Sequence, residues 1–201
     1  MRAWSSLRVA LILFLAAGSG CHFGYDSPVT PAMGPDPAWK LVPAVPMVRM
    51  EGKSDCGLAA VEMLLRYWRP EVPPAELRAT LRRELGPIID DKGLEAGILR
   101  QAVQNRGLDS FVFEGTPDDL VHEIGLGRPV IVGLVRRSGR RLYTHFEVVV
   151  GVNERRRLLL AADPQDGWQE VELSDFARQW DPSHRLTLVA LPRTPARAAS
   201  R

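Results

Sequence analysis

The stretch from Met50 to Trp68, MEGKSDCGLAAVEMLLRYW, sets one cysteine at the junction between a polar loop and a helix. Glu51, Gly52, Lys53, Ser54 and Asp55 are polar and flexible. Beyond Cys56, residues Leu58, Val61, Leu65 and Trp68 recur at three- and four-residue steps and form one apolar stripe. That spacing predicts a helix with Cys56 near its N-terminus. A thiol in such a place meets the positive end of the helix dipole and unpaired backbone N–H groups, which favour the thiolate and hence a nucleophile. Gly57 removes bulk beside the sulfur, so that a substrate carbonyl has room to approach the Cys56 N–H. The same local pattern also fits a small buried cysteine that packs as a hydrophobe.

Upstream, the chain opens with Arg2 and Arg8, then an apolar run from Val9 to Ala17 and the small residues Gly18-Ser19-Gly20 before Cys21. This is the pattern of a secretory signal over residues 1–20, too short for a membrane-spanning helix of about 20 apolar residues. Small residues ahead of a cysteine are similar to the lipobox of bacterial lipoproteins, although Gly18 stands where leucine is usual. The resemblance implies that Cys21 is acylated and holds the protein on a membrane outside the cytoplasm, with soluble secretion as the alternative. A lipidated Cys21 cannot form a disulfide with Cys56, the second of the two cysteines. Cys56 would then be a free thiol in an oxidising compartment.

Residues 21–40 are rich in proline and glycine and read as a tether, with a folded domain from Leu41 to about Pro192 and a disordered tail over 193–201. With 201 residues, 45% of them hydrophobic and 25% charged, the chain has material for one globular domain. Loss of Arg2 and Arg8 with the signal would bring the formal charge of +2 to zero. The basic cluster Arg155-Arg156-Arg157 suits a hairpin turn, so nothing favours nucleic acid as a partner.

Within the domain, Met47–Met50 reads as a short strand, followed by the Cys56 helix, a helix from Pro73 to Leu85 and a third from about Gly93 to Arg106. A strand at Ser110–Phe113 and a helix opened by Thr116-Pro117 come next. Strands then follow at Val130–Val135, Leu142–Val152, Leu158–Ala162, Glu170–Leu173 and Leu186–Leu191, with a short helix from Ser174 to Trp180. Helices first and strands afterwards are the signature of an α+β fold with a mostly antiparallel sheet.

Two strand residues complete the chemistry. His145 lies in THFEVVVGV and Asp163 in LLLAADPQDG, and a hairpin turning over Asn153–Arg157 would make them neighbours. An imidazole oriented by a carboxylate at one nitrogen can take a thiol proton with the other. No cluster of ligands has metal spacing apart from these residues, and no phosphate or dinucleotide motif is present, so neither metal nor cofactor is expected.

The blocks DCGLAAVEML at 55–64, HFEVVVGV at 145–152 and ADPQDG at 162–167 resemble those of the bacteriocin-processing, double-glycine-leader cysteine peptidases, a branch of the papain-like fold. The resemblance covers roughly Val45 to Leu191. It implies a peptidase with Cys56 as nucleophile, His145 as general base and acid, and Asp163 orienting His145, cleaving a peptide or protein substrate after a pair of small residues through a thioester. One departure stands out. The family usually carries a glutamine six residues before the cysteine, whose amide helps to form the oxyanion hole, and here that residue is Met50, whose thioether cannot donate a hydrogen bond. Candidates for the cleft and the hole are therefore Met50, Ser54, Asp55 and Gly57, with Gln101 or Ser54 as substitute donors. A silent member that binds a peptide or partner protein, and a cell-wall amidase or acyltransferase, are the alternatives.

Overall fold

Apolar, β-branched runs such as Val130–Val135 and Val148–Val152 build a sheet covered on both faces, because few of their side chains alternate with polar ones. The computed structural model describes residues 28–34, 36–90 and 93–193. Its helices are α1 (Cys56–Trp68), α2 (Pro74–Leu85), α3 (Ala96–Gln104), α4 (Pro117–Gly125) and α5 (Leu173–Trp180). The strands are β1 (Trp39–Leu41), β2 (Leu108–Glu114), β3 (Val130–Ser138), β4 (Arg141–Asn153), β5 (Leu158–Asp163), β6 (Gly167–Glu172) and β7 (Leu186–Pro192). They form one sheet in the order β2-β7-β3-β4-β5-β6, with β1 on the end of β4, and every pairing is antiparallel. The fold is α+β.

Helix α1 lies at the centre rather than at the surface. All ten residues from Cys56 to Leu65 are buried, including Glu62, where the sequence pattern predicts a single apolar stripe. The difference comes from covering on more than one side: α2, α3 and β4 all pack against α1. Small residues Gly57, Ala59 and Ala60 permit that close approach. Glu62 is tolerated because Arg78 meets its carboxylate at 3.1 Å and Arg66 at 3.6 Å.

The N-terminal boundary differs from the expected Leu41. Trp39, Lys40 and Leu41 pair with Asn153, Val152 and Gly151 at the end of β4 that β3 does not reach. Upstream, Thr30 donates its backbone N–H to the Val45 carbonyl at 3.0 Å and its hydroxyl to the Val42 carbonyl at 3.0 Å. Residues 28–34 and 36–40, read in the sequence as tether, thus lie against the domain. Met47–Met50 is not a strand; Pro46 forms an isolated bridge with Val29, and the Met50 N–H donates to the Pro164 carbonyl. Cys21 and the tail residues 194–201 lie outside the described residues.

Candidate active site

Cys56 is the first residue of α1, so its N–H is among those the helix leaves without an internal acceptor. The loop before it is closed by Asp55, whose carboxylate accepts from the Gly52 N–H at 2.9 Å and from Arg82 Nη2 at 3.2 Å. Asp55 therefore shapes the loop and does not line the cleft. Gly57 does not open space beside the sulfur either. A Cβ there would stand 3.2 Å from Leu99 Cδ2 and 3.3 Å from Phe146 Cδ2, so this glycine serves the contact of α1 with α3 and β4.

Opposite the thiol stands His145 on β4. Its Nε2 lies 2.8 Å from Asp163 Oδ1 at the end of β5, which leaves Nδ1 for its hydrogen bond with the Cys56 sulfur. Phe146 packs on α1, while alternation along β4 puts His145 and Glu147 on the other side of the strand. The three sequence-predicted residues Cys56, His145 and Asp163 are thus brought together, all of them buried.

Charge on this face is balanced by Arg136 of β3. Its Nη1 donates to Asp163 Oδ2 at 2.8 Å, Nη2 donates to Glu147, and Nε donates to Gln179 Oε1 at 3.1 Å. Burial works against ionising Asp163, but the hydrogen bond and charge of His145, with Arg136 and the Gln165 N–H, hold its carboxyl well below the usual range. Burial likewise works against the charged imidazole, yet hydrogen bonds to Asp163 and Cys56 outweigh it and raise His145 to about 9. Burial pushes Glu147 up, opposed by Arg136. His145, Glu147 and Asp163 each offer a ligand atom within 4.8 Å of the others. The Arg136 guanidinium already supplies the positive charge that these carboxylates require, so the residues do not call for a metal ion. Arg136 and Glu147 escape the motif reading. A lone glutamate inside the apolar run HFEVVVGV is the signal in the sequence that marks Glu147.

A cavity of about 680 Å³ opens over the sulfur, lined by Met50, Ser54, Cys56, Gly93, Tyr143, Thr144, His145 and Gln165 among others. Met50 and Ser54 are therefore in the cleft. Gln101 is not: it lies on α3 and donates its side-chain amide to Asn105 Oδ1 at 2.8 Å.

The family model for the peptidase C39 family matches residues 44–191, nearly three quarters of the chain. The chain belongs to the peptidase C39 family. Among relatives of this C39 peptidase, the lactococcin-G-processing and transport ATP-binding protein of Lactococcus lactis subsp. lactis is 23% identical over 134 residues, 67% of this chain and 17% of that protein. The pediocin PA-1 transport/processing ATP-binding protein of Pediococcus acidilactici is 27% identical over 128 residues, 64% and 16% of the respective chains. The C39 chain thus spans about a sixth of the length of these curated relatives. A solved double glycine motif protease from an AMS/PCAT transporter, in complex with its leader peptide, superposes with a TM-score of 0.57 at 22% identity, covering 74% of this chain and 92% of that one. The fold is that of C39 peptidase domains.

Proposed function

We propose that this C39 peptidase cleaves peptide bonds through Cys56, His145 and Asp163. The observation that carries the reading is the juxtaposition of the three side chains, with Cys56 and His145 on one open cavity and His145 bonded to Asp163 on one side and to Cys56 on the other. In the proposed cycle the proton of the Cys56–His145 pair rests on the imidazole, and the Cys56 sulfur adds as thiolate to the scissile carbonyl carbon, so that the C=O π pair moves to oxygen. The tetrahedral species collapses as His145 protonates the leaving amine, giving a thioester and a free amino terminus. Water, giving one proton to the now neutral His145, then adds to the thioester carbonyl, releases the carboxyl product and restores the Cys56–His145 pair. An imidazole that holds its proton up to about pH 9 is suited to the donation. The substrate class is a peptide or protein segment cleaved after a pair of small residues, in keeping with the solved relative, a double glycine motif protease.

The pattern of residues 1–21 supports an export signal and a lipid anchor on Cys21, so the reaction is assigned to a membrane surface outside the cytoplasm. One observation favours a second reading, a silent peptide-binding domain: Met50 lines the cleft at the position where the resemblance implies a glutamine. The test is hydrolysis of peptides containing a Gly-Gly site, with intact mass to trap the acyl-enzyme. Cys56→Ala is expected to abolish cleavage and the mass adduct while leaving the melting temperature within a few degrees. Cleavage that survives in Cys56→Ala rules out the covalent mechanism.

A further inference from the structure

An acyl transfer at Cys56 is favoured by two donors for the oxygen that gains charge, and Met50 removes the side chain that the resemblance assigns to one of them. The Cys56 N–H supplies the other. The missing donor has a neighbour in the fold. The Met50 N–H donates to the Pro164 carbonyl at 3.0 Å, which sets the next residue, Gln165, beside Met50 on the rim of the same cavity. The backbone of Gln165 is fixed from both sides: its N–H donates to Asp163 Oδ1 at 2.7 Å, and its carbonyl accepts from Arg49 Nη1 at 2.7 Å. Arg49 in turn lies over Gly167, whose φ of +88° and lack of a Cβ admit the guanidinium. The turn that holds the acid of the triad therefore also holds Gln165 in place.

The side chain is the part left over. Gln101, Gln104, Gln169 and Gln179 each engage their side chain with a carbonyl, a carboxamide or a guanidinium. Gln165 is exposed and its carboxamide has no such partner among the described residues; the residue stands between the cavity above Cys56 and the neighbouring one lined by Arg136, Asp166 and Gln179, so its side chain is within the rim of both. We infer that the Gln165 side-chain amide is the second oxyanion donor of this enzyme, replacing the function lost at Met50. It carries two N–H donors on a three-carbon reach, whereas Ser54 offers one hydroxyl. This inference rests on the peptidase reading above.

The experiment compares two reactions of the same thiol in the full chain. Acylation by p-nitrophenyl acetate passes through an oxyanion: the sulfur forms a bond to the acetyl carbon, nitrophenolate leaves, and acetyl-Cys56 remains. Alkylation by iodoacetamide displaces iodide in one step and creates no oxyanion. Gln165→Leu is expected to slow acylation about 10²-fold with the alkylation rate unchanged, and Met50→Gln in the Gln165→Leu background is expected to restore acylation. A structural role for Gln165 would move both rates together. Acylation of Gln165→Leu at the wild-type rate, or a loss seen instead with Ser54→Ala, overturns the assignment and leaves the peptidase reading standing. A wild-type Cys56 that is alkylated but never acylated, by the ester or by Gly-Gly peptides, overturns both.

Discussion

At the scale of single residues, His145 links the candidate chemistry to stability. Its folded pKa of about 9 lies above the ordinary imidazole value of about 6.5, so the protonated ring is bound more tightly in the fold than in the unfolded chain. That contribution is complete below about pH 6.5 and vanishes as pH climbs through about 9. Asp163 is shifted the other way, and its contribution is present above about pH 4 and is lost on acidification below that. Both groups are buried, so solvent screens neither effect. The melting temperature is therefore expected to peak between about pH 4 and pH 6.5 and to fall by several degrees towards pH 9. A thermal denaturation series in buffers of constant ionic strength checks this. A flat profile from pH 6 to pH 10 contradicts the raised imidazole, and His145→Gln is expected to remove the alkaline limb.

At the scale of elements, the position of the nucleophile depends on how closely α1 approaches its neighbours. Leu99 and Phe146, which face Gly57, are almost fully buried and have nowhere to yield. Gly57→Val is expected to destabilise the fold by about 1–3 kcal/mol through overpacking and, by displacing the first turn of α1, to slow alkylation of Cys56 as well. At Gly97 on α3, by contrast, an added Cβ would meet nothing within 4 Å. Gly97→Ala should therefore leave Cys56 reactivity alone and gain up to about 1 kcal/mol from helix propensity; urea denaturation of the two variants separates packing from propensity. The element order was legible in the sequence wherever a period and a cap coincided. Thr116-Pro117 is an example, since Thr116 is the expected N-cap, and the structure adds an Asp119 carboxylate that completes a capping box with it. The meeting of His145 and Asp163 was legible from the hairpin turn between them, but not the shift in register between Val149 and Gly151 that also sets it. What a one-dimensional pattern misses is covering from a third direction. Gly57 looks like open space beside a sulfur and is in fact a contact with two other elements. In the same way Arg136 is distant in sequence from the acids it neutralises, and Gln165 gains meaning only when Met50 is bonded to its neighbour.

For the whole molecule, the proposed anchor on Cys21 and the packing of the segment ahead of β1 are separable. Val29 is already held against the domain through its bridge to Pro46. It lies eight residues after Cys21, a separation that even a fully extended chain spans in at most about 28 Å. A lipid on Cys21 would therefore hold the domain close to the membrane surface, and no described helix is long and apolar enough to cross one. The brace formed by residues 28–34 and 36–41 is a matter of stability instead. Trp39 and Leu41 cover Gly151, where an added Cβ would meet Leu41 Cδ2 at 2.6 Å, and β1 takes up the edge of β4 that β3 leaves bare. Removing that cover exposes apolar surface and an unpaired strand edge. Cys21→Ser is accordingly expected to shift the protein from the membrane fraction to the soluble fraction with its melting temperature unchanged. A chain beginning at Val42 is expected to melt roughly 5 °C or more below one beginning at Pro28. Equal melting temperatures for those two chains would mean that the brace is only laid on the surface. A Cys21→Ser protein that stays with the membrane would rule out the lipid anchor and leave the site on β4, β5 and α1 unaffected.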